Sequence, residues 1–254
     1  AAAYLDSVLT NARDRIGPGQ AQYTLLCDDA GGVVDDLIVY LAADDDVFLI
    51  PNASNTAEVV AVLAASAPDG VVVTNRHHDH AVLAVQGPRS GDVLDALGLT
   101  SDLDYMSFVR DELDGVALTV CRTGYSGEHG YELVVPWASA AAVWDRLLAA
   151  GEEHGVLPCG LGARDTLRTE MGYPLHGQDL SLDITPVQAR AGWAVGWSKP
   201  AFHGRDALLA EKESGPARRS VGLVSLDRAI PRPHMAVTTT DGAAIGEVTS
   251  GTFS

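Results

Sequence analysis

Two adjacent carboxylates in the middle of one strand constrain this chain more than any other feature. The run Gly31-Gly32-Val33-Val34-Asp35-Asp36-Leu37-Ile38-Val39-Tyr40 follows a turn on Asp28–Gly32 and is rich in β-branched residues, which predicts an extended segment. Side chains alternate along a strand, so Asp35 and Asp36 point to opposite faces. Asp36 shares its face with Val34, Ile38 and Tyr40, and Asp35 shares its own with Val33, Leu37 and Val39. At least one acid is therefore aimed into apolar surroundings. Taking a carboxylate out of water without a partner costs several kcal/mol, so a fold that keeps one there has a use for it.

Whether such a strand can be enclosed depends on the rest of the chain. Its 254 residues, 46% hydrophobic and 20% charged, can bury a sizeable core in one large domain or two to three small ones. Strands and helices mix without a regular βαβ alternation, which reads as an α+β fold. A hairpin over Tyr23–Cys27 and Val33–Tyr40 is expected, with a third strand at Val47–Ile50. Further strands are expected at Val71–Thr74, Ala81–Val85, Val116–Cys121, Tyr131–Val135, Ser220–Leu226 and Ala244–Thr249. Helices are expected over Tyr4–Arg15, Thr56–Ala65, Gly91–Leu97 with Ser90 as its cap, Ser139–Ala150, Gly160–Gly172 and Arg205–Lys212. The first residues enter as if mid-helix and the last follow a strand directly, so the chain reads as an internal fragment.

Charge narrows the function. Seventeen Lys and Arg stand against 34 Asp and Glu, a formal net charge of −17, which argues against nucleic acid or an anionic membrane as the main partner. Three widely spaced cysteines, Cys27, Cys121 and Cys159, suggest free thiols in a reducing compartment, and a cytoplasmic location. No apolar run is long enough to span a bilayer.

Four constellations could carry chemistry. His77-His78-Asp79-His80 has metal-ligating residue types, but neighbours in an extended segment diverge and no distant Cys or His completes a set; a solvated loop and no metal is the expectation. Gly124-Tyr125-Ser126-Gly127-Glu128-His129-Gly130 is neither a P-loop nor a dinucleotide fingerprint, and suits a tight loop that lets backbone approach a flat ligand. Ser126 near His129 hints at a nucleophile but lacks the strand–turn–helix setting. Glu132 is a single acid on a strand that continues Leu133-Val134-Val135, placed either to accept hydrogen bonds from a heterocycle or to pair at an edge. Arg164 and Arg168 share a helical face at the start of the Gly160 helix, a candidate anion site unless Asp165 or Glu170 neutralises them.

Taken together, Gly31–Tyr40, Arg122–Glu132, Gly160–Arg168 and Gly246–Gly251, with Gln86-Gly87-Pro88 and Phe202–Leu208 between them, closely resemble the glycine cleavage system T-protein, the aminomethyltransferase family, from end to end of the chain and in matching order. The resemblance implies a folate-binding fold of three small domains in a cloverleaf around a central opening. Residues 1–198 would hold the interleaved folate-binding domains 1 and 2, and 199–254 the start of the C-terminal small β domain. It implies transfer of the methylene of an aminomethyl group from the lipoyl arm of H-protein to tetrahydrofolate, a co-substrate, with release of ammonia. By position it makes Asp36 the catalytic aspartate, Glu132 the pterin-binding glutamate and Arg164 a folate-site arginine, with Tyr23, Tyr105 and Tyr125 lining the pocket. Met106 stands where the family often has a second tyrosine. A folate-dependent demethylase of a small methylated compound and a non-catalytic folate-binding regulator of the same fold are the alternatives; the regulators' Lys-Gly-Cys-Tyr signature is absent from this sequence.

Overall fold

A computed structural model describes residues 1–253. Helix α1 (Ala2–Val8) leads into a hairpin of β1 (Gln20–Cys27) and β2 (Val33–Leu41), with β3 (Val47–Ile50) beside β2. Helix α2 (Thr56–Ser66) follows, then β4 (His80–Gln86), α3 (Ser90–Ala96), β5 (Phe108–Leu113), β6 (Val116–Cys121), β7 (Gly130–Pro136) and α4 (Ala140–Gly151). Helices α5 (Leu161–Glu170) and α6 (Arg205–Ser214) precede a small ribbon of β8 (Ala236–Thr238) and β9 (Ala244–Glu247). The sheets are antiparallel, in the orders β1-β2-β3, β4-β7-β6-β5 and β8-β9.

Helices cover the two larger sheets, and the β8-β9 ribbon is exposed. Leu5, Val8 and Leu9 of the first helical turn region, with Val59 and Leu63 of α2, bury Leu26, Val34, Leu37 and Val39 of the hairpin. Leu208 of α6, with Ala194, Val195 and Phe202, covers Leu25 and Val33. In the second sheet, Val93 and Leu94 of α3 and Val143 and Leu147 of α4 cover Val120, Leu133 and Val135. The two sheets meet edge to edge: Ala21 N donates to Met106 O (2.7 Å) and Phe108 N to Gly19 O (2.9 Å). Beside that seam Tyr40 stacks on Phe48 of the same sheet at 4.4 Å, and Phe108 of the second sheet meets both rings edge-on. The β1 edge thus meets β5 at the junction, where Tyr40 near the end of β2 packs, with Asp36 near the middle of that strand.

Several expectations need correcting. The Tyr4–Arg15 helix stops at Val8: Leu9 is extended, and only a short 3₁₀ turn follows at Arg13–Arg15. Buried Lys199 explains the break, because its Nζ takes the carbonyls of Leu9 (2.6 Å) and Asn11 (3.0 Å) that a continuing helix would use. Val71–Thr74 and Ser220–Leu226 are not strands; neither finds a partner ladder, and a lone extended segment gains no backbone bonds from being one. Strand β5 lies outside the expected strands. Its Phe108-Val109-Arg110-Asp111-Glu112 alternates weakly, and pairing with β6 secures it. Ser90 lies inside α3, not at its cap, and its hydroxyl turns to the backbone of His129 at 3.2 Å. On α2 the buried residues are Thr56, Val59 and Leu63.

Candidate active site

Both acids of β2 are withdrawn from water among polar partners, and they are held differently. Asp35 is fully buried, 0% exposed, and no cation pairs with it among the described residues. Its Oδ2 accepts the backbone N–H of Asn52 (3.0 Å), and its Oδ1 accepts the side-chain amides of Asn52 (2.9 Å) and Asn55 (2.6 Å). Asp36, partly exposed, receives the Tyr23 hydroxyl on Oδ2 at 2.9 Å and the Asn52 amide on Oδ1 at 2.8 Å. Burial raises both carboxyls above the ordinary range, opposed at Asp36 by Tyr23, Asn52 and the nearby His176, and at Asp35 by Asn55 and Asn52. Across the hairpin, burial and the Asp36 charge push the Tyr23 phenol far above its usual range, so it remains a donor.

An aromatic and cationic wall gathers opposite. The Tyr23 ring stacks on Trp193 at 5.1 Å, and Trp193 is 64% exposed beyond it. The Tyr125 hydroxyl donates to Pro174 O, and its ring lies against Tyr173 at 5.8 Å. Burial pushes the Tyr125 phenol up to about 12, with Arg168 and Arg164 pulling down and Asp36 pushing up, so Asp36 and Tyr125 share one electrostatic neighbourhood. The Arg164 guanidinium lies 4.3 Å over the Tyr125 ring and forms no salt bridge among the described residues. Arg168 has the other fate: 2% exposed, it is neutralised by Asp165 (2.6 Å) and Asp179 (2.8 Å). The paired-arginine face therefore reduces to Arg164.

Glu132 lies on β7 opposite Cys121 of β6. Its Oε2 accepts the Thr123 hydroxyl at 2.6 Å, and Tyr40 Oη stands 3.2 Å from Thr123 Oγ1, so a Tyr40–Thr123–Glu132 chain fixes the carboxylate across the seam. Tyr105 is 65% exposed, with Arg122 5.8 Å above its ring; Arg122 also faces Tyr131 at 5.5 Å. Tyr23 bonds Asp36 directly and Arg164 lies over Tyr125, which shares its electrostatic neighbourhood with Asp36; Glu132 stands on β7, and Tyr105, in the turn before β5, feels the charge of Glu132.

The glycine-rich loop is a packed turn, not a phosphate cradle. Gln86 threads beneath it, donating to Thr123 O (3.2 Å) and Tyr131 O (3.0 Å) and accepting the Ser126 hydroxyl (2.8 Å). A Cβ on Gly124 would meet Gln86 Oε1 at 2.1 Å, which is why glycine is needed there. Ser126 thus belongs to Gln86, while His129 Nδ1 faces Ser90 Oγ at 3.1 Å; they form no dyad. His77 and His78 pack edge-on in an exposed turn, and among the described residues no three His, Cys, Asp or Glu side chains are grouped to hold a metal ion.

Asn52, Asn55, His176, Tyr173 and Trp193 did not stand out in the sequence. An asparagine ahead of a helix ordinarily caps it. Asn55 occupies that position but makes no capping bond, because its amide is committed to Asp35 and to His176 Nδ1 (3.0 Å). Nothing local signals that diversion.

The chain matches the family described as the GCVT N-terminal domain over residues 1–199. It is 65% identical over its whole length to an aminomethyltransferase of a Parafrankia species, covering 70% of that protein. It is 60% identical, again over its whole length, to an aminomethyltransferase of Mycobacterium tuberculosis, covering 69%. The crystal structure of the glycine cleavage system aminomethyltransferase T from Bartonella henselae superposes on 99% of the chain and 69% of its own length, with a TM-score of 0.90 at 33% identity.

Proposed function

The chain belongs to the aminomethyltransferase family of the glycine cleavage system, and on that premise we propose which of its side chains carry the transfer. The reaction passes the methylene of an H-protein-bound aminomethyl group to tetrahydrofolate and releases ammonia. Carbon transfer requires a folate nitrogen to attack a carbon that develops iminium character as the amine leaves. Asp36 is the group for this: a carboxylate in a partly dry enclosure stabilises the developing cation and orients or accepts the proton of the attacking amine. The observation that carries the reading is the double restraint on Asp36, from Tyr23 on one oxygen and Asn52 on the other, which leaves the carboxylate no freedom to turn away. Burial raises its basicity in the direction a general base needs.

Around it, Glu132 accepts ring N–H bonds of the pterin, and Tyr125, Tyr23 and Tyr105 supply flat apolar walls. Arg164, exposed and held over Tyr125, meets the anionic glutamyl end of the folate. Tetrahydrofolate enters as co-substrate and lipoylated H-protein as carrier. No metal has a part in these roles. We further assign residues 1–198 to the interleaved folate-binding domains and 199–254 to the start of the C-terminal module, and place the protein in the cytoplasm on its free thiols Cys27, Cys121 and Cys159. Helix α6 lies on the first sheet through Leu208, and the chain beyond Gly215 is mostly exposed. No described helix is long and apolar enough to cross a membrane.

Asp36→Asn tests the assignment. The variant keeps tetrahydrofolate binding and loses about a hundred- to ten-thousand-fold in ammonia release, the usual range for a positioned acid–base group. Near-normal release would remove Asp36 from the mechanism. Running the assay with and without aminomethylated H-protein separates this activity from folate-dependent demethylation of a small molecule, which has no need of the carrier.

A further inference from the structure

Asp35 is a buried carboxylate with no cation paired to it among the described residues, at a strand position where Val33, Leu37 and Val39 on the same face are all buried. A valine there would avoid the desolvation cost, so structure alone does not account for an acid. We propose that Asp35 is a positioning residue for the transfer: it compels the Asn52 side chain to present its NH2 group, and not its carbonyl, to Asp36. The inference deepens the role given to Asp36 and rests on it.

The hydrogen-bond pattern carries this. An amide side chain can sit either way round, and its partners decide which. An ionised Asp35 is acceptor-only, so both amides that converge on Oδ1 must turn nitrogen toward it. For Asn52 that choice has a second consequence, because the same Nδ2 lies 2.8 Å from Asp36 Oδ1 and 3.0 Å from Asp36 O. For Asn55 it sends the amide to His176 Nδ1, leaving His176 Nε2 to donate to Val33 O at 2.9 Å. One charge thus orients Asn52 and Asn55 and sets the His176 tautomer.

Asparagine at position 35 reverses the pattern without changing its shape. Oδ2 of Asp35 accepts a main-chain N–H, which cannot flip, so the asparagine oxygen must stay there. Its NH2 then takes the place of Oδ1 and faces both amide nitrogens. Donor against donor is relieved only if the amides rotate, and a rotated Asn52 turns its carbonyl oxygen onto the Asp36 carboxylate. Asp36 loses one of its two side-chain donors and gains a repulsive neighbour.

Asp35→Asn, Asn52→Ala, the double variant and Asp36→Asn are compared for tetrahydrofolate KM, kcat and the acid limb of kcat/KM. Four groups bear on Asp36: Tyr23 from β1, Asp35 on its own strand, His176 after α5 and Tyr125 from the glycine-rich loop. Removing the Asn52 donor weakens a bond that favours the ionised form, so the acid limb moves to higher pH. Expected for each single change at position 35 or 52 is a loss of about 10- to 100-fold in kcat, the worth of one hydrogen bond to a charged group, with the acid limb raised. The double variant is no worse than the poorer single, because both act through one donor. Losses that multiply in the double, or an acid limb that stays in place, overturn the proposal. Should Asp35→Asn fail to fold, Asn52→Ala alone decides, and an unmoved acid limb overturns it. Near-normal release by Asp36→Asn would defeat the role of Asp36 itself; a crippled Asp36→Asn beside an unmoved Asp35→Asn defeats only the positioning role.

Discussion

Replacing Arg168 by methionine separates the arginine that holds the fold from the one assigned to substrate. The two lie one turn apart on α5, yet Arg168 is 2% exposed and Arg164 is exposed. Methionine keeps an unbranched apolar stem in place of that of Arg168 and removes its charge. What is lost is a double ion pair plus a bond to Tyr173 O at 3.3 Å. The Asp165 arm is worth little, since that carboxylate is 47% exposed and water can replace the partner. The Asp179 arm matters more. Asp179 is 13% exposed, and its Oδ2 also takes Leu175 N (2.9 Å) and the Ser250 hydroxyl (2.6 Å). Stranding one buried charge costs about 3–5 kcal/mol. For a chain of this size that is a fall in melting temperature of about 6–20 °C at 2–4 °C per kcal/mol. Differential scanning calorimetry with a tetrahydrofolate titration is the assay. Arg168→Met should melt early while its folded fraction retains folate affinity, and Arg164→Ala should melt normally and bind folate more weakly. A melting temperature within about 2 °C of the parent for Arg168→Met would refute the reasoning that the buried pair supports this region.

Three further outcomes follow from the same geometry. The folded state binds a proton at Asp36 more tightly than the unfolded chain does, because burial raises that carboxyl. Its unfavourable contribution is therefore absent at low pH and grows as pH rises above the unfolded carboxylate range near 4; Asp36→Asn should be more stable than the parent at pH 7, with the gain shrinking on acidification through that range in pH-dependent thermal melts. Gly124→Ala places a Cβ against Gln86 and displaces a side chain holding Thr123 O, Tyr131 O and the Ser126 hydroxyl; three bonds at about 1 kcal/mol each predict about 2–3 kcal/mol of lost stability and a raised tetrahydrofolate KM, since Thr123 also orients Glu132. Ser126→Ala removes the bond to Gln86 and the longer one that Ser126 Oγ accepts from Glu128 N (3.3 Å), costing about 1–2 kcal/mol in a denaturant titration, and leaves kcat within about threefold; a loss of several hundredfold would revive Ser126 as a nucleophile.

Local pattern alone settled much of this protein. The β-branched run Val33–Tyr40 and the turn before it made a hairpin inevitable, and alternation required Asp35 and Asp36 to part company. Periodicity placed most helices and strands within a few residues, whereas Asp36, Glu132 and Arg164 as site residues were implied by the family resemblance and not by local pattern. Alternation and periodicity are properties of neighbours in sequence, and the chain carries them openly. Tertiary packing decided the rest. Arg164 and Arg168 read alike one turn apart, and only the fold of 173–179 against α5 buried one and left the other over Tyr125. Strand β5 exists because β6 offers it a ladder, and the Tyr4–Arg15 helix ends early because Lys199, far along the chain, takes its carbonyls. The opening pair of acids shows the division most clearly. Alternation says that one must be buried, but their common partner, Asn52, is reached only when β3 turns back across β2. An amide's orientation is set by every acceptor around it at once, and no run of residues along one strand contains that information.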